Sequence, residues 1–215
     1  MTRLNRVGLL AVSALLVAGA VTLGASPVDA GRASRQAFRA DMRGLWTDHV
    51  VWTRMYIVSA ATLSEDLPDI ADTAGRLFDN QADIAEAVAA FYGDEAGQAL
   101  NDLLDEHIAV AAEAIAAARA GDDPALQDAL ARWYLNADEI AAFLAAANPQ
   151  NWEFDHMRAH MRHHLDLTLA EAVARLTGDY AADIAAYDEV RTQILDLADN
   201  LANGIIDQFP SRFGQ

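Results

Sequence analysis

The chain has 215 residues, enough for one domain with a real core. It has no Cys, which rules out a disulfide, a thiolate metal site and a Cys nucleophile. All 15 basic residues are Arg against 32 acidic ones, and the formal charge of −17 excludes nucleic acid and anionic membrane surfaces as partners.

The N-terminus reads as an export signal. Arg3 and Arg6 form a basic start, 7–25 is apolar, small and uncharged, and Val28-Asp29-Ala30 is a small-x-Ala cleavage site. Residues 1–30 carry a net +1 (Arg3 and Arg6 against Asp29), so −17 becomes −18 for the remainder. The 19 apolar residues are also close to a membrane span, so a retained anchor is the alternative. The Ser-Pro turn and small residues before Gly31 favour cleavage. Separated arginines favour the general secretory route over the twin-arginine one. The expectation is a protein of residues 31–215, exported to the periplasm or beyond, with no stable membrane insertion after cleavage.

From there the chain reads as helices almost without interruption, because Ala is abundant and Gly and Pro are sparse. Helix one is expected over 34–62, with Leu45, His49, Trp52 and Tyr56 inward, flanked by Trp46, Val50 and Ile57. Helix two runs over 68–90 along Ile70, Leu77, Ile84 and Val88, and Gly93 follows its end. Helix three covers 94–120 with Leu100, Leu104, His107, Ala111 and Ile115 in line. Gly121-Asp-Asp-Pro124 stops it and restarts the chain, with Asp123 as N-cap. Helix four runs to 147 along Leu126, Trp133, Ile140 and Leu144, with Asn136 and Phe143 beside. Helix five covers 154–175 and holds four of the six histidines. Helix six runs over 179–206 with Ile184, Tyr187, Ile194, Leu201 and Ile205 inward. Phe209 and Phe213 lie in a short tail able to dock back. The pattern predicts an all-α, antiparallel up-and-down bundle of about six helices. No segment fits a dinucleotide, P-loop or nucleophile-elbow motif.

The informative residues are polar ones on apolar stripes. In helix five, Phe154, Met157, Met161, His164, Thr168, Glu171 and Arg175 share one face. His49 and His107 hold corresponding places on helices one and three. Buried polar groups need partners, and midpoints of antiparallel neighbours meet. The expectation is therefore a buried transition-metal site of His49, His107, His164 and Glu171, for Zn, Cu, Fe or Ni. Arg54, Asn136, Asp138 and Thr168 would support it from behind. Storage, sensing or delivery fits better than catalysis, since no oriented nucleophile–base pair is present. Two alternatives stand beside it. One is an internal network that only fixes helix packing, with Glu171 paired to Arg54. The other is a small-molecule site lined by the tryptophans. His156, His160 and His163, spaced i, i+4, i+7, form a second candidate, a surface metal site or simply a titrating face.

Several of these residues fall in longer runs: Leu45-Trp46-x-x-His49-Val50-x-Trp52-Thr53-Arg54; Asn80-Gln81-x-Asp83-Ile84 with Phe91-Tyr92-Gly93; Leu104-x-x-His107-Ile108; Trp133-Tyr134-x-Asn136-Ala137-Asp138; His164-Leu165-x-Leu167-Thr168-x-x-Glu171; and Gln208-Phe209-Pro210. Together they resemble a group of uncharacterised bacterial exported helical-bundle proteins, over most of 44–213. The resemblance implies that His49, Arg54, Gln81, Asp83, His107, Asn136, Asp138, His164, Thr168 and Glu171 belong to a shared pattern, and that His156, His160 and His163 do not. Some members of that group carry glycosyltransferase or acetylglutamate kinase labels. Nothing in this chain supports either, because it has no nucleotide-binding loop and no α/β pattern.

Overall fold

The computed structural model describes residues 27–61 and 67–214. Six helices follow in order: α1 (Pro27–Ala60), α2 (Ile70–Tyr92), α3 (Asp94–Ala120), α4 (Asp123–Ala147), α5 (Phe154–Leu176) and α6 (Tyr180–Gln208). A 3₁₀ turn, η1 (Pro210–Phe213), closes the chain. Residues 1–26, with the apolar segment expected to direct export, lie outside the described residues. Among those described, no helix is long and apolar enough to cross a membrane.

The ends of the helices follow local chemistry. Gly93 has φ +91° and Gly121 sits in the left-handed region at φ +68°, so each ends a helix where a side chain would be strained. The cap before α4 is Asp122 rather than the expected Asp123: its carboxylate accepts from the Ala125 N–H at 3.1 Å. Helix α1 also starts at Pro27 instead of near Ser34, so the expected cleavage site lies within its first turns. Gly31, the residue after that site, is buried: a Cβ there would stand 2.5 Å from the Phe213 carbonyl.

Each helix packs chiefly on its neighbours in sequence, and α6 returns to pack on α1. The result is a closed ring of six antiparallel helices, in which α1, α3 and α5 all run the same way. The tail seals one end. Phe213 stacks on Phe91 at 5.8 Å and lies 5.3 Å from Phe38, while Phe209 lies 5.5 Å from Phe91. The larger apolar cluster fills this half of the ring, with Met42, Trp46, Ile84, Leu104, Ile140, Trp152, Met157 and Leu201. A smaller cluster, Ile57, Ala61 and Ala172, closes the other half. Ile184 does not point inward as expected but is 56% exposed, and its neighbour Asp183 is buried in its place.

Candidate functional site

Between the two apolar clusters lies a layer of polar side chains. His49 comes from α1, His107 from α3 and His164 from α5, and each is 3% exposed. The His49 and His164 rings are 5.6 Å apart between centroids, and those of His107 and His164 are 6.4 Å apart. Three parallel rods of the ring thus bring their imidazoles to one level, as expected. All three line one cavity of about 70 Å³, otherwise walled by Leu77, Trp133, Thr168 and aliphatic side chains of α3 and α5. Val173, in the last turns of α5, lines the cavity and is 48% exposed.

Each imidazole is held from outside the cavity. The Nδ1 of His107 lies 2.9 Å from the Asn136 Oδ1, and Asn136 is itself fixed by donating to the Leu103 carbonyl at 3.0 Å. The Nδ1 of His49 lies 3.2 Å from the Gln81 Nε2, and that amide also donates to the Leu77 carbonyl at 2.9 Å. His164 stands beside Gln193, whose amide donates to the His160 carbonyl at 3.1 Å. Among the described residues, His164 Nδ1 and Gln193 Oε1 are both buried without a hydrogen-bond partner. Gln193 opposes the downward shift of the His164 pKa that burial imposes.

Burial keeps these rings neutral. It pushes His107 down to about 4, against the opposing hydrogen bond of Asn136. It pushes His164 down to about 3, helped by the charge His107 would carry. His49 is held well below the usual imidazole range, first by burial and then by His164 and His107.

Glu171 does not join them. It lies further along α5 and pairs with Arg54: Arg54 Nη1 donates to Oε1 at 2.6 Å. The same guanidinium reaches both oxygens of Asp183, at 2.8 and 3.2 Å, and lies over the Tyr187 ring at 4.8 Å. Glu171 and Asp183 are each 1% exposed, and Glu171 Oε2 has no partner. Burial outweighs Arg54 and raises the Glu171 pKa to about 7. The expected fourth metal ligand is therefore one end of an ion-pair lock between α1, α5 and α6, as the alternative reading held. Asp183 went unnoticed in the sequence.

The other expected supports divide. Asn136 orients His107. Thr168 lines the cavity and donates back to the His164 carbonyl at 2.9 Å. Asp138 sits at the surface in a two-pronged pair with Arg162, both contacts 2.7 Å, away from the histidines. Asp83 is 51% exposed and faces Arg76 at 3.8 Å. On the outer face of α5, His156 and His160 rings are 4.6 Å apart, while His160 and His163 border a groove with Asp188, Glu189 and Asp196. Among the described residues, no three His, Asp or Glu side chains stand where they could hold one metal ion, in the interior or on this face.

The class that emerges is a closed six-helix bundle with a neutral three-imidazole layer around a central cavity. Comparison with protein-family models, with curated proteins and with solved structures finds no match.

Proposed function

We propose that this bundle binds a small, uncharged, largely apolar molecule in its central cavity. The observation that carries the reading is the cavity's make-up: largely apolar walls and three buried imidazoles. Protonating any of the three would bury a charge, so a charged ligand meets no ready counter-ion there. About 70 Å³ is roughly half the ~150 Å³ apolar cavity that admits benzene, so the ligand, or the part of it inside, is short. Binding, sensing or delivery follows. Export remains part of the proposal, with a mature chain beginning at Gly31; sequencing the N-terminus of the protein recovered from the source cell tests that.

A metal reading is the second one, favoured by a single observation. Asn136 Oδ1 fixes the His107 proton on Nδ1, which leaves an Nε2 lone pair, as metal-bound histidines are usually held. Against it, Gln81 holds His49 the other way round, and Glu171 is committed to Arg54. That leaves His107 and His164, short of the three protein ligands that even an open site uses.

Chemical-shift titration with short neutral organic molecules separates these readings when run beside an Ala111→Leu variant. Ala111 lines the cavity one turn beyond His107. The ligand reading expects saturable shifts at His107 and His164 in the native protein, lost in a folded Ala111→Leu. Stoichiometric zinc retained through purification, with no organic binding, would favour metal instead.

A further inference from the structure

Two of the three imidazoles have their protons placed by groups behind the cavity, and in opposite senses. Asn136 Nδ2 donates to the Leu103 carbonyl, so its Oδ1 faces His107 Nδ1. His107 therefore donates from Nδ1 and keeps a lone pair on Nε2. His49 is the reverse case. Asn80 Nδ2 donates to the Leu45 carbonyl, which leaves Asn80 Oδ1 toward Gln81. Gln81 Nε2 lies 2.9 Å from the Leu77 carbonyl oxygen and 3.4 Å from that Oδ1, so turning its amide over would set oxygen against oxygen at both. An N–H at His49 Nδ1 would then point at an amide N–H, so Nδ1 accepts and the proton is on Nε2. Gln81 and Asn136 do not line the cavity, whereas both imidazoles do, which leaves the Nε2 edges for a ligand.

Five other polar side chains belong to the same lining, and only one makes a fixed, unmet demand. Thr53 and Thr168 already give their hydroxyl protons to helix carbonyls, of His49 at 2.8 Å and of His164 at 2.9 Å. Tyr56 is not without a partner. Among the described residues, neither His164 Nδ1 nor Trp133 Nε1 has a hydrogen-bond partner. Nothing fixes the His164 tautomer, so that ring can meet a ligand in either role. Trp133 has no such freedom, because an indole N–H only donates. It is 4% exposed and lies beside His107, with ring centroids 5.5 Å apart. Among the described residues, no side chain bonds Nε2 of His49 or His107. The unmet groups of fixed sense are thus two donors, His49 Nε2–H and Trp133 Nε1–H, and one acceptor, His107 Nε2.

A hydroxyl has the matching set, one proton and two lone pairs. Resting on the small-ligand reading, we propose that the cavity selects a short, neutral alcohol. Its proton goes to His107 Nε2, its oxygen accepts from His49 Nε2–H and keeps a lone pair for Trp133, and its alkyl part lies on the Leu77–Ala111–Ala172 wall. A ketone or an ether has no proton for His107, and a buried acceptor left unpaired weakens binding. A carboxylate also lacks the proton and adds a charge.

Three near-isosteric probes test this on the full-length protein: 2-butanol, butanone and isopentane. They share one outline and differ in a single group, which is a hydroxyl, a carbonyl oxygen or a methyl. Affinities are read from imidazole and methyl chemical shifts. 2-Butanol should bind at least tenfold tighter than butanone. A smaller preference, or none, with butanone or isopentane still bound, overturns the alcohol assignment and leaves the cavity reading intact. No binding of any probe overturns both. The second measurement uses no variant and no ligand. Long-range nitrogen–proton correlations on ¹⁵N-histidine protein report each tautomer. Protons on Nδ1 of His107 and on Nε2 of His49 are expected; the opposite tautomer at either ring overturns the assignment outright.

Discussion

Acid should weaken this fold through its buried histidines, and the size of the effect can be worked out. In the unfolded chain an imidazole titrates near 6.5, whereas folded His107 and His164 titrate near 4 and 3. Both pKa values are depressed, so the stability contribution is intact above about pH 6.5 and is lost as pH falls toward the folded values. Moving from pH 7.5 to 5.0 costs about 2 kcal/mol for each, roughly 4 together, at ~1.36 kcal/mol per unit. His49 is shifted the same way and adds to the loss. Glu171 opposes it. Its folded pKa of about 7 lies above the unfolded carboxyl value, so its burial penalty relaxes as pH falls. That returns about 2 kcal/mol over the same interval. The net expectation is a loss of at least about 2 kcal/mol in the free energy of unfolding. Urea denaturation followed by far-UV circular dichroism at both pH values measures it. A His107→Gln protein, with no titrating group there, should lose about 2 kcal/mol less than the parent over the same pH step. Stability equal or greater at pH 5.0, or a His107→Gln chain as acid-sensitive as the parent, would refute the reasoning.

Two further substitutions probe the frame around the cavity. Arg54→Met leaves Glu171 and Asp183 buried without their shared guanidinium; because Arg54 is 20% exposed, the low end of the usual range applies, about 3 kcal/mol. Adding Glu171→Gln to that variant should recover part of the loss in the same denaturation assay. Gly204→Ala should also destabilise, since its Cβ would stand 2.2 Å from Trp152 Nε1 and 2.7 Å from Cε2; an overpacking cost of about 1–3 kcal/mol is expected. Gly75→Ala is the matched control: it is helical, its Cβ would meet nothing within 4 Å, and it should raise the melting temperature through a gain of about 0.5–1 kcal/mol.

Much of this architecture is legible in the residues. Gly93, Gly121 and the Ala-rich periodic stretches between them are strong local signals, and they place the helix ends to within a few positions. The three histidines are equally readable, because each falls on an apolar stripe at a corresponding depth of its helix. What failed was the angular position of groups one residue apart. Stepping back from Ile194 through Val190 and Tyr187 by fours and threes reaches Asp183, yet the apolar Ile184 beside it draws the stripe off line. That single slip hid the partner which, with Arg54, takes Glu171 away from the histidines. Gln193 went unseen, and Gln81, though part of the shared pattern, was given no role, for another reason. A glutamine in mid-helix looks like ordinary surface polarity, and only packing between neighbouring helices brings its amide beside an imidazole. The roles of His49 and His107 differ because of those second hydrogen bonds, to Leu77 and Leu103, which no one-dimensional pattern records.

Everything proposed here depends on three uncharged rings sharing one interior level. Following the ring carbon and proton signals of all six histidines by NMR from pH 8 to pH 5 tests this most directly. The account predicts that His49, His107 and His164 keep neutral shifts across the whole interval. If these three titrate with midpoints near 6.5, they are in water and the cavity does not exist as described.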